Sequence, residues 1–109
     1  MLSENGIRNC QVIKDMLKKV WGNNVRVTGT ERMNVPFDEF TVSLLIYGKY
    51  ETLLTYDRSI IDISVKTADE YVWLTDLTNE EVVEGFESSK PENIEHNFRL
   101  LDGVLKQME

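Results

Sequence analysis

Apolar residues change their period twice along this chain, and each change marks a change of element. Ile7, Cys10, Ile13, Leu17 and Val20 recur at intervals of three and four, with Lys14, Lys18 and Lys19 between them, which predicts an amphipathic helix. Ser3 is its candidate N-cap, Trp21 closes the apolar face, and Gly22 before Asn23 and Asn24 is the stop signal. The period then falls to two. Val25 and Val27 alternate with Arg26 and Thr28, and Phe40, Val42, Leu44 and Ile46 alternate with Thr41, Ser43, Leu45 and Tyr47. Pro36 falls in the connection, where a missing N–H does least harm. Gly48 and Lys49 predict a two-residue hairpin with Gly48 at positive φ, so Tyr50 to Tyr56 pairs antiparallel with the strand before it. Asp57-Arg58-Ser59 is a second tight turn, and Ile61, Ile63 and Val65 alternate with Asp62, Ser64 and Lys66. Tyr71 to Leu74 reads as a last short strand, with Trp73 assigned to the core.

The helical period returns in the last third. Thr78 with Glu81 three residues on has capping-box spacing, and Val82, Val83 and Phe86 supply a short apolar stripe, so a helix is predicted from Thr78 to about Ser88. Pro91 suits the first turn of a further helix, along which Ile94, Phe98, Leu101, Leu105 and Met108 recur at four, three, four and three. The predicted fold is α+β: an N-terminal helix, an antiparallel meander of four to five strands, and two C-terminal helices. At 109 residues, 41% of them hydrophobic, residues 1–109 read as a single α+β domain able to bury a core.

Charge adds what the pattern omits. The chain carries a net −7, distributed as +3 over residues 1–37, −2 over 38–68 and −8 over 69–109. From Thr67 to Ser89 there are seven acids, Asp69, Glu70, Asp76, Glu80, Glu81, Glu84 and Glu87, and no Lys or Arg. Such a field favours cationic partners and repels nucleic acid, so no direct DNA binding is expected. One cysteine, Cys10, leaves nothing for an intramolecular disulfide, and no leader-like segment or long apolar run appears. These features predict a full-length, soluble, cytoplasmic protein with no membrane partner.

Enzymatic chemistry finds little support. Asp69, Glu70 and Asp76 flank the Tyr71 strand and could serve as acid and base or hold a divalent ion, but no EF-hand spacing accompanies them, and loop-end carboxylates are ordinarily solvated. His96 is the only histidine and lacks the helpers of a triad or zinc site, so it reads as a surface residue of the last helix. Cys10 sits on an apolar stripe and reads as a small core residue. No nucleophile elbow surrounds Ser43, Ser59 or Ser64. The expectation is a non-enzyme with no catalytic residues, no cofactor and no metal.

The acidic stretch is the better candidate. On the predicted helix Glu80, Glu84 and Glu87 form one ridge, continued by Asp69, Glu70 and Asp76, with Glu81 beside Glu84. Like charges at that spacing cost a few tenths of a kcal/mol per pair. The bland account is that the acids favour a helix start and keep the protein soluble. The functional account is that a carboxylate ridge copies the charge pattern of a nucleic-acid backbone and occupies a basic groove. In size, composition, helix–meander–helix order and the stretch from Asp69 to Glu87, the chain resembles the small acidic inhibitors of phages and mobile elements, of which the anti-CRISPR proteins against Cas9-type nucleases are a well-known group. That resemblance implies a protein without catalysis that blocks a basic, nucleic-acid-binding protein such as a nuclease. Toxin-immunity proteins have the same look and imply a basic nuclease toxin as target, while tyrosines 47, 50 and 56 leave a self-associating interaction domain as another alternative. The basic first helix departs from a uniformly acidic mimic.

Overall fold

The computed structural model describes residues 4–34 and 39–108, with the side chains of residues 4–7 and 32–34 left aside. Ser3 and Pro36 therefore lie outside the described residues, as does the side chain of Ile7. Helix α1 (Glu4–Trp21) ends at a single 3-10 turn, Gly22–Asn24, where Gly22 takes φ +58°, the left-handed value that stops a helix at low steric cost. Five strands follow: β1 (Val25–Asn34), β2 (Glu39–Ile46), β3 (Tyr50–Asp57), β4 (Ile60–Thr67) and β5 (Glu70–Trp73). They form one antiparallel sheet in chain order, so β1 and β5 are its two edges. A four-residue helix α2 (Leu74–Leu77), an irregular stretch, a 3-10 turn (Gly85–Ser89) and helix α3 (Pro91–Gln107) complete the α+β fold. Among the described residues no helix is long and apolar enough to cross a membrane.

The register explains which face is buried. Phe40 pairs with Tyr56, Val42 with Leu54, Leu44 with Thr52 and Ile46 with Tyr50, while Tyr56, Leu54 and Thr52 pair with Ile61, Ile63 and Val65. Side chains of directly paired residues share a face, so these positions form one wall, and all are buried. Against it lie Cys10, Ile13, Leu17 and Trp21 of α1 and Ile94, Phe98, Leu101, Val104 and Leu105 of α3, in one cluster. The predicted period thus holds for both long helices, with one exchange: Val104 is buried, whereas Met108 is exposed beyond the last turn. Cys10 is the small core residue that its stripe predicts.

Turn chemistry differs from the prediction in one place. The β2–β3 connection is three residues long, because Ile46 pairs with Tyr50, and both Tyr47 and Gly48 have positive φ, +56° and +72°. Tertiary bonds hold Tyr47 in this uncommon conformation: its N–H donates to Asn24 O at 2.7 Å, and its hydroxyl donates to Asp102 Oδ1 on α3. Trp21 Nε1 donates to the same oxygen at 2.9 Å, and Lys106 Nζ sits 3.2 Å from Oδ2. Burial of the Asp102 carboxyl, which is 19% exposed, opposes its ionisation; the bonds from Tyr47 and Trp21 and the Lys106 charge outweigh that and hold it below its ordinary value. One carboxylate therefore ties α1, the hairpin and α3 together.

Candidate acidic interface

The stretch predicted as an acidic helix is where sequence and structure part. From Thr78 to Glu84 the backbone is not helical: Thr78 (φ −136°, ψ 150°) and Glu84 (φ −112°, ψ 170°) are both extended. The capping box does not form, and Thr78 Oγ1 instead accepts the N–H of Glu80 at 3.1 Å. A helix here would stack Glu80, Glu84 and Glu87 without a cation between them and would place Gly85 in its interior, where glycine costs about 1 kcal/mol. Gly85 in fact has φ +70°. The extended form gains partners that a helix cannot reach. Asn97, 2% exposed on α3, accepts the Val83 N–H through Oδ1 and donates through Nδ2 to Val83 O, both at 2.9 Å, as a neighbouring strand would. His96 Nε2 donates to Glu81 O at 2.9 Å, and Asn93 Nδ2 donates to Glu87 O at 2.8 Å. His96 is thus exposed, as predicted, but serves as a clamp. The first C-terminal helix is accordingly α2, four residues earlier in the chain and much shorter than predicted.

This segment also finishes the sheet. β5 spans only four residues and pairs with β4 from Ser64 to Thr67, leaving the lower outer edge of β4 bare. Ser88, fully buried, accepts the Ile61 N–H there at 2.8 Å and donates to Gly85 O. Covering an edge in this way satisfies a backbone donor and denies it to other strands.

The seven acids are distributed over the elements that follow β4. Asp69 lies in the β4–β5 turn, Glu70 opens β5, Asp76 is on α2, Glu80, Glu81 and Glu84 are on the irregular stretch, and Glu87 is in the 3-10 turn. All are exposed. The helical ridge of Glu80, Glu84 and Glu87 does not exist: Glu80 borders a groove with Arg99, Gly103 and Gln107 of α3, Glu84 borders Asp62 and Trp73 at the end of β5, and Glu87 is on the 3-10 turn. Glu70 opens β5 and Asp76 follows its far end, on α2, and among the described residues no three His, Cys, Asp or Glu side chains converge on a metal-sized site. Of the seven, Glu87 alone has an ion pair among the described residues, with Lys90 Nζ at 2.7 Å. Nearby cations serve other acids: Lys66 pairs with Glu51 at 3.3 Å, and Lys19 and Arg99 both hold Glu95, whose carboxyl they keep below the usual carboxylate range. The bases Arg8, Lys14 and Lys18 are on α1 and Arg26 is on β1, the opposite edge of the sheet.

Three aromatic residues of the same stretch are exposed. Trp73, predicted as core, is 51% exposed, because it pairs with Ser64 on the face turned away from the helices, and Leu74 is buried in its place. Tyr71 shares that open face through its pairing with Lys66, and Phe86, predicted to lie on an apolar stripe, is 70% exposed on the 3-10 turn. Tyr50 and Tyr56, by contrast, are buried sheet residues. Where β5 ends, a cleft of about 220 Å³ opens among Trp73, Asp62, Glu84, Val82, Ile61 and Asn97. Sequence reasoning missed Asp62, Trp73 and Asn97 as parts of one site; the available signals were a lone amide on the apolar side of α3 and Gly85 inside the predicted helix. Comparison with family models, curated proteins and solved structures finds no match to this chain.

Proposed function

We propose that this protein is a non-catalytic inhibitor that binds a basic, nucleic-acid-handling protein through the β5 border, in the manner of an anti-CRISPR protein acting on a Cas9-type nuclease in the cytoplasm. One observation carries the reading: the stretch from Asp69 to Glu87 exposes seven carboxylates, six of them without an ion pair among the described residues, together with Tyr71, Trp73 and Phe86. Uncompensated charge raises association rates with a cationic groove, while aromatic side chains are the usual anchors of protein interfaces. Cations do stand near this surface, Lys90 on Glu87 and Lys66 opposite Tyr71, but the other six acids have no ion pair with them. A nuclease toxin neutralised by its immunity protein would need the same surface, and the captured target distinguishes the two.

The test is a pull-down from bacterial lysate with the purified protein as bait, washed at about 0.1 M and then about 0.5 M salt, over which the screening length falls from roughly 10 Å toward contact distance. A nuclease or other nucleic-acid-binding protein released by the second wash is the expected result. Reversing Glu80, Glu84 and Glu87 to Lys is expected to lower the association rate with that protein at least tenfold at low salt, with circular dichroism unchanged. An unchanged rate and salt dependence would refute the charge-based reading.

A further inference from the structure

We infer that the cleft at the end of β5 is the seat of a single arginine side chain of the partner. The inference rests on the proposed binding of a basic protein and specifies how that protein is recognised. Three features of the cleft point to this occupant. First, between the Ser64–Trp73 pair, the last of the β4–β5 ladder, and the Ser88 hydroxyl on Ile61 N–H, no strand pairs with the outer side of β4 at Asp62 and Ile63. The cleft occupies this gap, and its volume of about 220 Å³ is below the roughly 300–1,000 Å³ of small-molecule sites. It suits one long side chain entering from a surface. Second, its exposed lining residues include two carboxylates, Asp62 and Glu84, and no Lys or Arg lines it. Neither carboxylate has an ion pair among the described residues. Third, the same lining holds half-exposed Trp73 and buried Ile61, Ile63 and Leu74, so an aromatic ring and apolar side chains border one cleft with the two charges.

Arginine meets all three conditions together. Its methylenes suit apolar lining, its planar guanidinium can stack on an indole, and its fork of N–H donors matches a carboxylate bidentately. Lysine carries the same charge but neither stacks as a plane nor donates in a fork. The cleft therefore discriminates between two cations that a diffuse acidic surface would treat alike.

The experiment uses the full chain, labelled with ¹⁵N, titrated with acetyl-Gly-Arg-Gly-amide and, separately, with its lysine counterpart. Arginine is expected to shift the Trp73 indole N–H and the amides of Asp62, Ile63, Val83 and Glu84, with the lysine peptide about fivefold weaker, as a cation–π difference at a half-exposed ring implies. Trp73→Ala is expected to remove the preference for arginine, and Asp62→Asn with Glu84→Gln to remove the shifts, with the remaining spectrum unchanged. Equal response to both peptides, or shifts spread over Asp69, Glu70, Glu80 and Glu87, would overturn the assignment. So would full-strength capture of a basic protein by Trp73→Ala and by the double variant, although the proposed function would then stand. Localised, arginine-selective shifts with no basic protein recovered from lysate would support the cleft and remove the proposed function.

Discussion

Replacing Asn97 by alanine removes two hydrogen bonds that hold the acidic segment in its extended form, each 2.9 Å and each to the backbone of Val83. A typical intramolecular hydrogen bond is worth about 0.5–1.5 kcal/mol net, so the pair contributes about 1–3 kcal/mol. Asn97 is almost fully buried and Val83 half-buried, which favours the upper half of that range; the segment's freedom to reach water sets the limit. With an unfolding entropy of about 2.1 cal/mol/K per residue, a loss of about 2 kcal/mol lowers Tm by about 9 °C for a chain of this length. Thermal denaturation followed by circular dichroism measures that shift, and native-state hydrogen exchange localises it: the Val83 amide is expected to lose protection while Leu54 and Ile63 keep theirs relative to the new global stability. Asn97→Asp adds a sign test. Its carboxylate accepts the Val83 N–H but confronts Val83 O with no donor, so burial raises its folded pKa above the unfolded value of about 3.9. Such a variant gains stability as pH falls, because the protonated carboxyl restores the donor. An Asn97→Ala variant with unchanged Tm and unchanged exchange at Val83 would refute the account of why residues 78–84 are not helical.

Asp102 gives the opposite pH dependence. Its folded pKa lies below the unfolded value, so the stability it contributes is present above about pH 4 and is lost as pH falls through the depressed folded pKa; urea denaturation at pH 7 and pH 3 is expected to show Asp102→Asn costing about 1–2 kcal/mol at the higher pH and less at the lower. Trp73→Ala is expected to cost under about 1 kcal/mol while Leu74→Ala costs about 2–5 kcal/mol, since the first is half exposed and the second lies in the core; equal losses in chemical denaturation would contradict the β4–β5 register. Ser59, at φ +71° in the β3–β4 turn, occupies a conformation suited to glycine, and Ser59→Gly is expected to raise stability by about 0.5–1 kcal/mol in the same assay.

The candidate site was legible in part. Asp69, Glu70, Asp76, Glu80, Glu81, Glu84 and Glu87 form a cation-free run in the sequence and all emerge at the surface, because charge without a partner stays in water. Their arrangement was not legible. The spacing of Thr78, Glu81, Val82 and Phe86 satisfies a helical pattern, and no local rule reveals that Asn93, His96 and Asn97, six to fifteen residues on, offer the same backbone better partners. Trp73 shows the same limit in a strand. Tyr71 and Trp73 occupy one face and Val72 and Leu74 the other, both sets apolar, so alternation alone cannot say which pair faces the core; pairing of Trp73 with Ser64 decides it.

What the sequence determined by itself is what local periodicity and many repeated signals over-specify: α1, α3, the antiparallel meander, the buried Cys10, and an excess of negative charge in the last third. Each of those elements has four or more apolar positions in phase, or a turn whose residues suit it, and burial rewards the whole phase at once. Tertiary structure alone decided the path of residues 78–89, the face of Trp73, the left-handed Tyr47 beside Asp102, and the cleft that gathers Asp62, Trp73 and Glu84. In those places local preferences are weak or balanced to within about 1 kcal/mol, so a pair of hydrogen bonds from a distant helix is enough to choose.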